Sequence, residues 1–127
     1  MKMLCRALFA LSVFVATLSL FLSSAEAQTK TVAYAVVELD VRQPEEFSKE
    51  FFPLAAKIFA EAGGVFVARP TAPVAIDDIA PKRVAIIRFD SVDKAKATFA
   101  SDAYRDARKI GDKYASFKIF VLEAPAP

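Results

Sequence analysis

On one face of the strands, four charged residues stand among apolar neighbours: Glu38, Arg69, Arg88 and Lys118. A carboxylate near a guanidinium and an ammonium on a greasy surface suits either of two tasks. Arg88 and Lys118 could anchor a small, partly apolar anion or carbonyl compound while Glu38 acts as a base. The same charges could instead form an ion-pair network that fixes the register of two packed chains. Taking strand four as antiparallel and strand three as parallel to the first strand brings Glu38, Arg88 and Lys118 to one end, with Asp40 nearby. Arg69 is then expected at the opposite end, closer to Tyr34. Tyr34, Glu38, Arg69, Arg88 and Lys118 are therefore the candidate ligand-binding residues, with Glu38 the candidate base.

Much other chemistry is excluded. The chain contains no histidine. That removes Ser-His-Asp triads, Cys-His pairs, histidine-ligated haem and nearly all zinc sites. Proton transfer near neutral pH would fall to a carboxylate, lysine or tyrosine with a displaced pKa. Asp77-Asp78 lacks a third ligand nearby and reads as a solvated pair. Arg105, Arg108, Lys109 and Lys113 alternate with Asp102, Asp106 and Asp112, the pattern of a wet helix face. Tyr104 is expected to pack against the sheet edge. No cofactor and no metal is implied.

The elements that must position these residues begin after a leader. Lys2 and Arg6 make a basic start, Ala7 to Leu22 is an almost unbroken apolar run, and Ala25-Glu26-Ala27 offers a cleavage site. The run falls short of the roughly 20 residues a spanning helix needs, so residues 1–27 read as a cleaved secretory signal peptide. The expectation is an exported, periplasmic or secreted protein, free of the membrane once the leader is removed. Lys2, Arg6 and Glu26 depart with it, leaving residues 28–127 close to neutral, which argues against a nucleic-acid partner. Cys5, the single cysteine, lies in the leader, so no disulfide can staple the remaining domain.

Val32 to Val41 alternates in the manner of a strand. Pro44-Glu45-Glu46 opens a helix whose stripe is Phe47, Phe51, Leu54, Ile58 and Ala62, with a kink near Glu50 caused by Pro53 and a stop at Gly63-Gly64. Val65 to Arg69 is a strand; Val74 to Ile76 reads as a short edge strand within a proline-rich loop. Arg83 to Phe89 is the third main strand. Ser91 and Ser101 start two helical segments, the first with Val92, Ala95 and Phe99 on one face and the second with Ala103, Ala107, Ile110 and Tyr114. Phe117 to Glu123 closes the chain as a strand, giving a core over about 32–123. The order βαββαβ is α+β and ferredoxin-like: a four-stranded antiparallel sheet with its helices on one face.

Sorting the strands by face leaves an anomaly. Ala33, Ala35, Val37, Leu39, Ala85, Ile87 and Phe89 suit a helix-covered face. The opposite face carries Val32, Val36, Val65, Val67, Val84, Ile86, Phe120 and Leu122, and is nearly as apolar. Left wet, it would exceed the few hundred Å² a monomer usually exposes. A second copy meeting it sheet on sheet covers it, so a homodimer is expected.

The strand end ELDV, the Pro-Glu-Glu-Phe helix start, Ala-Gly-Gly before VFVAR, RVAIIRFDS, and the Ser-Asp-Ala-Tyr…Ala-Arg helix together resemble the family catalogued as domain of unknown function 1330. The resemblance spans roughly Ala33 to Glu123 and implies a ferredoxin-like fold assembled as a dimeric α/β barrel. It implies no activity. Related barrels include cofactor-free monooxygenases, lactone isomerases and haem enzymes, and the haem branch does not suit a chain without histidine. Two functions follow as expectations. One is an exported homodimer that binds a small, partly apolar molecule between sheet and partner. The other is a cofactor-independent isomerase or monooxygenase acting on a small carbonyl or phenolic compound through Glu38.

Overall fold

β1, Thr31–Val41, is flanked on both sides, which is why it tolerates so few polar residues. In the computed structural model, which describes residues 28–127, it pairs with β3 (Arg83–Phe89) and with β4 (Ala115–Pro125). β2, Val65–Thr71, forms the outer edge beside β3, giving the order β2-β3-β1-β4 with every neighbouring pair antiparallel. The expected leader and its cleavage point lie outside the described residues. The α+β, ferredoxin-like reading holds, but the direction of one strand is corrected. β3 runs antiparallel to β1, not parallel, because β3 returns against β2 after the intervening loop. No strand forms at Val74–Ile76; the segment between β2 and β3 is irregular, and Val74, Ile76 and Ile79 are exposed.

The helices are α1 (Pro44–Glu46), a π segment over Phe47–Phe51, α2 (Phe52–Glu61), α3 (Val92–Ala100) and α4 (Asp102–Tyr114). The π segment has a local cause. Proline at position 53 offers no N–H, and its ring would collide with the Lys49 carbonyl in a regular helix. The chain widens instead, and the Phe52 N–H bonds to the Phe47 carbonyl five residues back. This replaces the expected kink. It also rotates the following turn: Leu54 is 41% exposed, while Ala55 and Phe59 are buried in its stead. α4 buries Ala107 as expected, but Tyr104 and Gly111 are buried in place of their neighbours Ala103 and Ile110, and Ala103 is exposed.

The stops and starts are as expected. Gly63 adopts φ +78°, and the Gly64 N–H bonds to the Phe59 carbonyl, closing α2. The Ser91 and Ser101 hydroxyls accept from the N–H groups of Lys94 and Tyr104. The core lies between the helices and one sheet face, where Ala33, Ala35, Ile87 and Phe89 are almost wholly shielded. Small residues on β1 let the Phe59, Phe89 and Phe99 rings close over it. Tyr104 joins this aromatic cluster against Phe59 and Phe99.

Candidate functional site

The strand directions divide the charges expected to cluster. Glu38 stands opposite Lys118 on β4 and Val84 on β3. Its carboxylate and the Lys118 ammonium are 3.7 Å apart. Asp40 pairs with Lys82 at 2.8 Å, and these residues with Ala80, Pro81 and Ser116 line an open groove of about 320 Å³ at that end of the sheet. Arg88 is not part of the group. It lies opposite Tyr34 on β1 and Val65 on β2. At about 3.3 Å per residue, four positions along β1 separate it from Glu38 by about 13 Å. The sheet's second face thus carries two polar stations, Glu38–Lys118 at one end and Tyr34–Arg88 at the other.

Arg69 also departs from its expected place. β2 carries irregularities between Phe66 and Ala68 and between Ala68 and Thr71, each adding a residue relative to β3. Arg69 consequently falls between the levels of Ile86 and Val84, toward the Glu38 end rather than Tyr34. Its guanidinium stands over the Phe52 and Phe66 rings, 5.7 and 5.6 Å from their centroids, and forms no ion pair with a described residue.

Those rings border a cavity on the helix side of the sheet, a feature sequence reading missed. Phe47, Phe51 and Phe59 wall it from the helices, and Val37, Ala85 and Ile87 from the sheet. Phe52, Phe66 and Pro70, each partly exposed, form its rim along the β2 edge. The cavity and its opening hold about 340 Å³ of unfilled space, part of it open to solvent, of which about 30 Å³ admits the centre of a water. The lining carries no carboxylate, lysine or arginine. Its sole titratable group is Tyr104, whose phenol is pushed up mainly by burial, the nearby Arg108 guanidinium pulling the other way. The cavity is apolar, contains no base, and admits no body larger than a water or two. The signal that could have revealed it is Phe51-Phe52-Pro53: a proline inside a helix, flanked by rings, forces the widened turn, which sets Phe47 and Phe51 against Phe117 of β4 and Phe52 against Phe66 of β2.

The wet helix face is as expected: Arg108–Asp112 and Lys109–Asp106 pair within α4, as do Arg105 and Asp102. Arg108 additionally lies over the Phe117 ring at 4.0 Å.

The chain is α+β and ferredoxin-like, with its helices on one face of the sheet. The family described as domain of unknown function (DUF1330) matches residues 32–125, and the chain belongs to it. No curated protein is significantly similar. Among solved structures, RPA0582, a protein of unknown function from Rhodopseudomonas palustris, is 17% identical with a TM-score of 0.56, covering 77% of this chain and 85% of its own. SnoaB, a cofactor-independent oxygenase from Streptomyces nogalater, is 19% identical with a TM-score of 0.55, covering 77% and 96%. A proposed antibiotic biosynthesis monooxygenase from Caulobacter crescentus CB15 is 20% identical with a TM-score of 0.54, covering 78% and 92%. At these identities the likeness is one of fold.

Proposed function

We propose that the protein is exported and works as a homodimer, its sheets meeting face to face, and binds a small, partly apolar molecule in the space they enclose. The observation that carries this reading is the sheet's second face. Val65, Val67, Phe120 and Leu122 are 51, 56, 45 and 45% exposed, and the described helices all pack on the other side. A contiguous apolar surface of that kind is what an interface between copies covers. The two polar stations suit the same arrangement. A two-fold axis running across the strands would lay the Glu38 end of one chain over the Tyr34–Arg88 end of the other, opposite charges meeting at the rim of an apolar interior. Sedimentation equilibrium at micromolar concentration tests the pairing, and native mass spectrometry of freshly purified protein tests for a retained small molecule. A monomer throughout the micromolar range overturns the proposal.

A second reading is a cofactor-independent isomerase or monooxygenase acting on a small carbonyl or phenolic compound. Its support is the likeness of fold to SnoaB, together with a half-buried Glu38 carboxylate next to Lys118. In that reading Glu38 removes a proton from the substrate and Lys118 steadies the resulting anion. Dioxygen uptake with electron-rich phenols, present in the wild type and lost in Glu38→Gln, would favour it over simple binding.

A further inference from the structure

A trough of about 680 Å³, open to solvent along one side, runs between α3, α4 and the outer strand β4. We propose that it binds a medium-chain alkyl carboxylate, with the chain along the trough and the carboxylate on Arg108 and Tyr104.

The apolar half follows from the helix and strand periods. Val92, Lys96, Phe99 and Ala100 share one stripe of α3 and form one wall. From Val92 to Ala100 that stripe is about 12 Å long, at about 1.5 Å per residue. Ile119 and Val121 point to the same side of β4 and form the other wall. Val92, Phe99, Ile119 and Val121 are only half-buried, so apolar surface is left uncovered in a strip. A strip suits a flexible chain better than a compact ring, and a chain laid along it takes apolar area out of water.

The polar half is held in place before any ligand arrives. Arg108 Nε donates to Asp112 at 2.7 Å, and the guanidinium lies over the Phe117 ring at 4.0 Å. Steadied on two sides, it keeps its terminal N–H groups for another acceptor. Tyr104 stands beside it and is only 4% exposed. Its hydroxyl donates to no acceptor among the described residues, and its charged neighbour Arg108 carries donors alone. Burial keeps the proton on the phenol. An O–H and a guanidinium at the α4 end of the trough can each give a hydrogen bond to one carboxylate. Asp112 offsets the charge of Arg108, and Lys96 supplies another. Arg105, Arg108 and Lys109 each pair with an aspartate of α4, whereas Lys96 forms no ion pair with a described residue. Its stem lies on the apolar stripe and its ammonium reaches the rim, so an anion is favoured over a neutral compound of the same shape.

The probe for the test is octanoate, titrated into full-length mature protein and followed by amide NMR. The comparison compounds are n-octanol, which lacks the charge, and butanoate, which lacks the chain. Saturable binding of octanoate is expected, with shifts centred on α3, α4 and β4, and each comparison compound weaker by about tenfold or more. Arg108→Met should weaken octanoate about tenfold and leave n-octanol unchanged. Tyr104→Phe, which removes only the hydroxyl, should weaken octanoate about fivefold. Ala100→Trp, at an exposed position, fills the trough and should abolish binding of octanoate and n-octanol alike. If Arg108→Met does not fold, Lys96→Glu, also at an exposed position, replaces it with the same expectation. The proposal is overturned if octanoate does not bind at millimolar concentration, or if either comparison compound binds as tightly. It is equally overturned if the Arg108 or Tyr104 variant leaves the affinity unchanged, or if a filled trough still binds. Val67→Asp, on β2 at the opposite edge of the sheet, should leave binding intact whether or not the protein pairs, so failure of the dimer and failure of this site are separate results.

Discussion

Gly111 of α4 faces the Phe51 ring so closely that a Cβ there would lie 2.7 Å from Phe51 Cδ2 and 3.0 Å from Phe117 Cζ. Alanine would ordinarily gain about 1 kcal/mol over glycine in a helix interior. Here Phe51 must move, and it is buried between Phe47 and Phe117, each about one ring width away. Overpacking of that kind costs about 1–3 kcal/mol. Gly111→Ala should therefore lower stability by about 1 kcal/mol net in urea unfolding, and cost less in a Phe51→Leu background. An unchanged midpoint would mean that the α4 seam is looser than these distances state.

That seam shows where sequence reading ran out. Strand limits and caps were legible because they depend on neighbours: alternation marks β1 and β3, Ser91 and Ser101 announce helix starts, and Gly63 supplies a left-handed stop. Helix phase was less so. The extra residue that Pro53 forces into the π segment moved burial from Leu54 to Ala55, and no apolar periodicity encodes that shift. The candidate cluster was lost to a single sign. Reversing β3 puts Val84 rather than Arg88 opposite Glu38, a direction that the antiparallel βαββαβ sheet already required and that the parallel placement of β3 contradicted. Arg69 was displaced by bulges, which depend on how an edge strand twists against its neighbour.

The second sheet face yields a direct test. Phe120 is 45% exposed on β4, so aspartate there costs the isolated chain little. Placed in a dry interface between copies it would bury an unpaired charge, worth several kcal/mol against association. Phe120→Asp should sediment as a monomer with an unchanged far-UV spectrum. A wild-type dimer that survives the substitution would require a different pairing surface.

The Glu38–Lys118 pair should matter little to the fold of one chain. Lys118 is 82% exposed at its side chain and the contact is 3.7 Å long. Exposed pairs contribute about 0–1 kcal/mol, so Lys118→Met should shift chain stability by less than about 0.5 kcal/mol. Across the proposed two-fold axis Glu38 has a further role, facing the partner's Arg88. Glu38→Lys should then weaken association, and adding Arg88→Glu should restore it. Equal weakening by both single changes with no recovery in the double would sink that axis.

Export has its own measurement. Cleavage after Ala27 would leave Gln28 as the first residue, and the mature chain would then lack Cys5. The intact mass of protein recovered from outside the cytoplasm should correspond to residues 28–127, and thiol reagents should label none of it. Recovery of Met1 in that fraction would contradict the leader reading.

Alkaline pH offers a last test, through the buried Tyr104. Burial among Phe59 and Phe99 raises its pKa above the ordinary tyrosine value of 10.0, with Asp112 adding to the rise and Arg108 opposing it. Tyr114 is raised as well, chiefly because its hydroxyl donates to Glu50. Since the unfolded chain releases the Tyr104 proton first, the folded state binds more protons above pH 10, and stability falls as pH rises there. The contribution is fully present below pH 10 and lost through the raised value. Tyr104→Phe has no such proton, so the gap in unfolding midpoint between wild type and variant should be constant up to about pH 10 and narrow above it. A gap that stays constant to pH 11.5 would show that the phenol ionises in the fold as readily as in water, and that the aromatic cluster over the sheet is open to solvent.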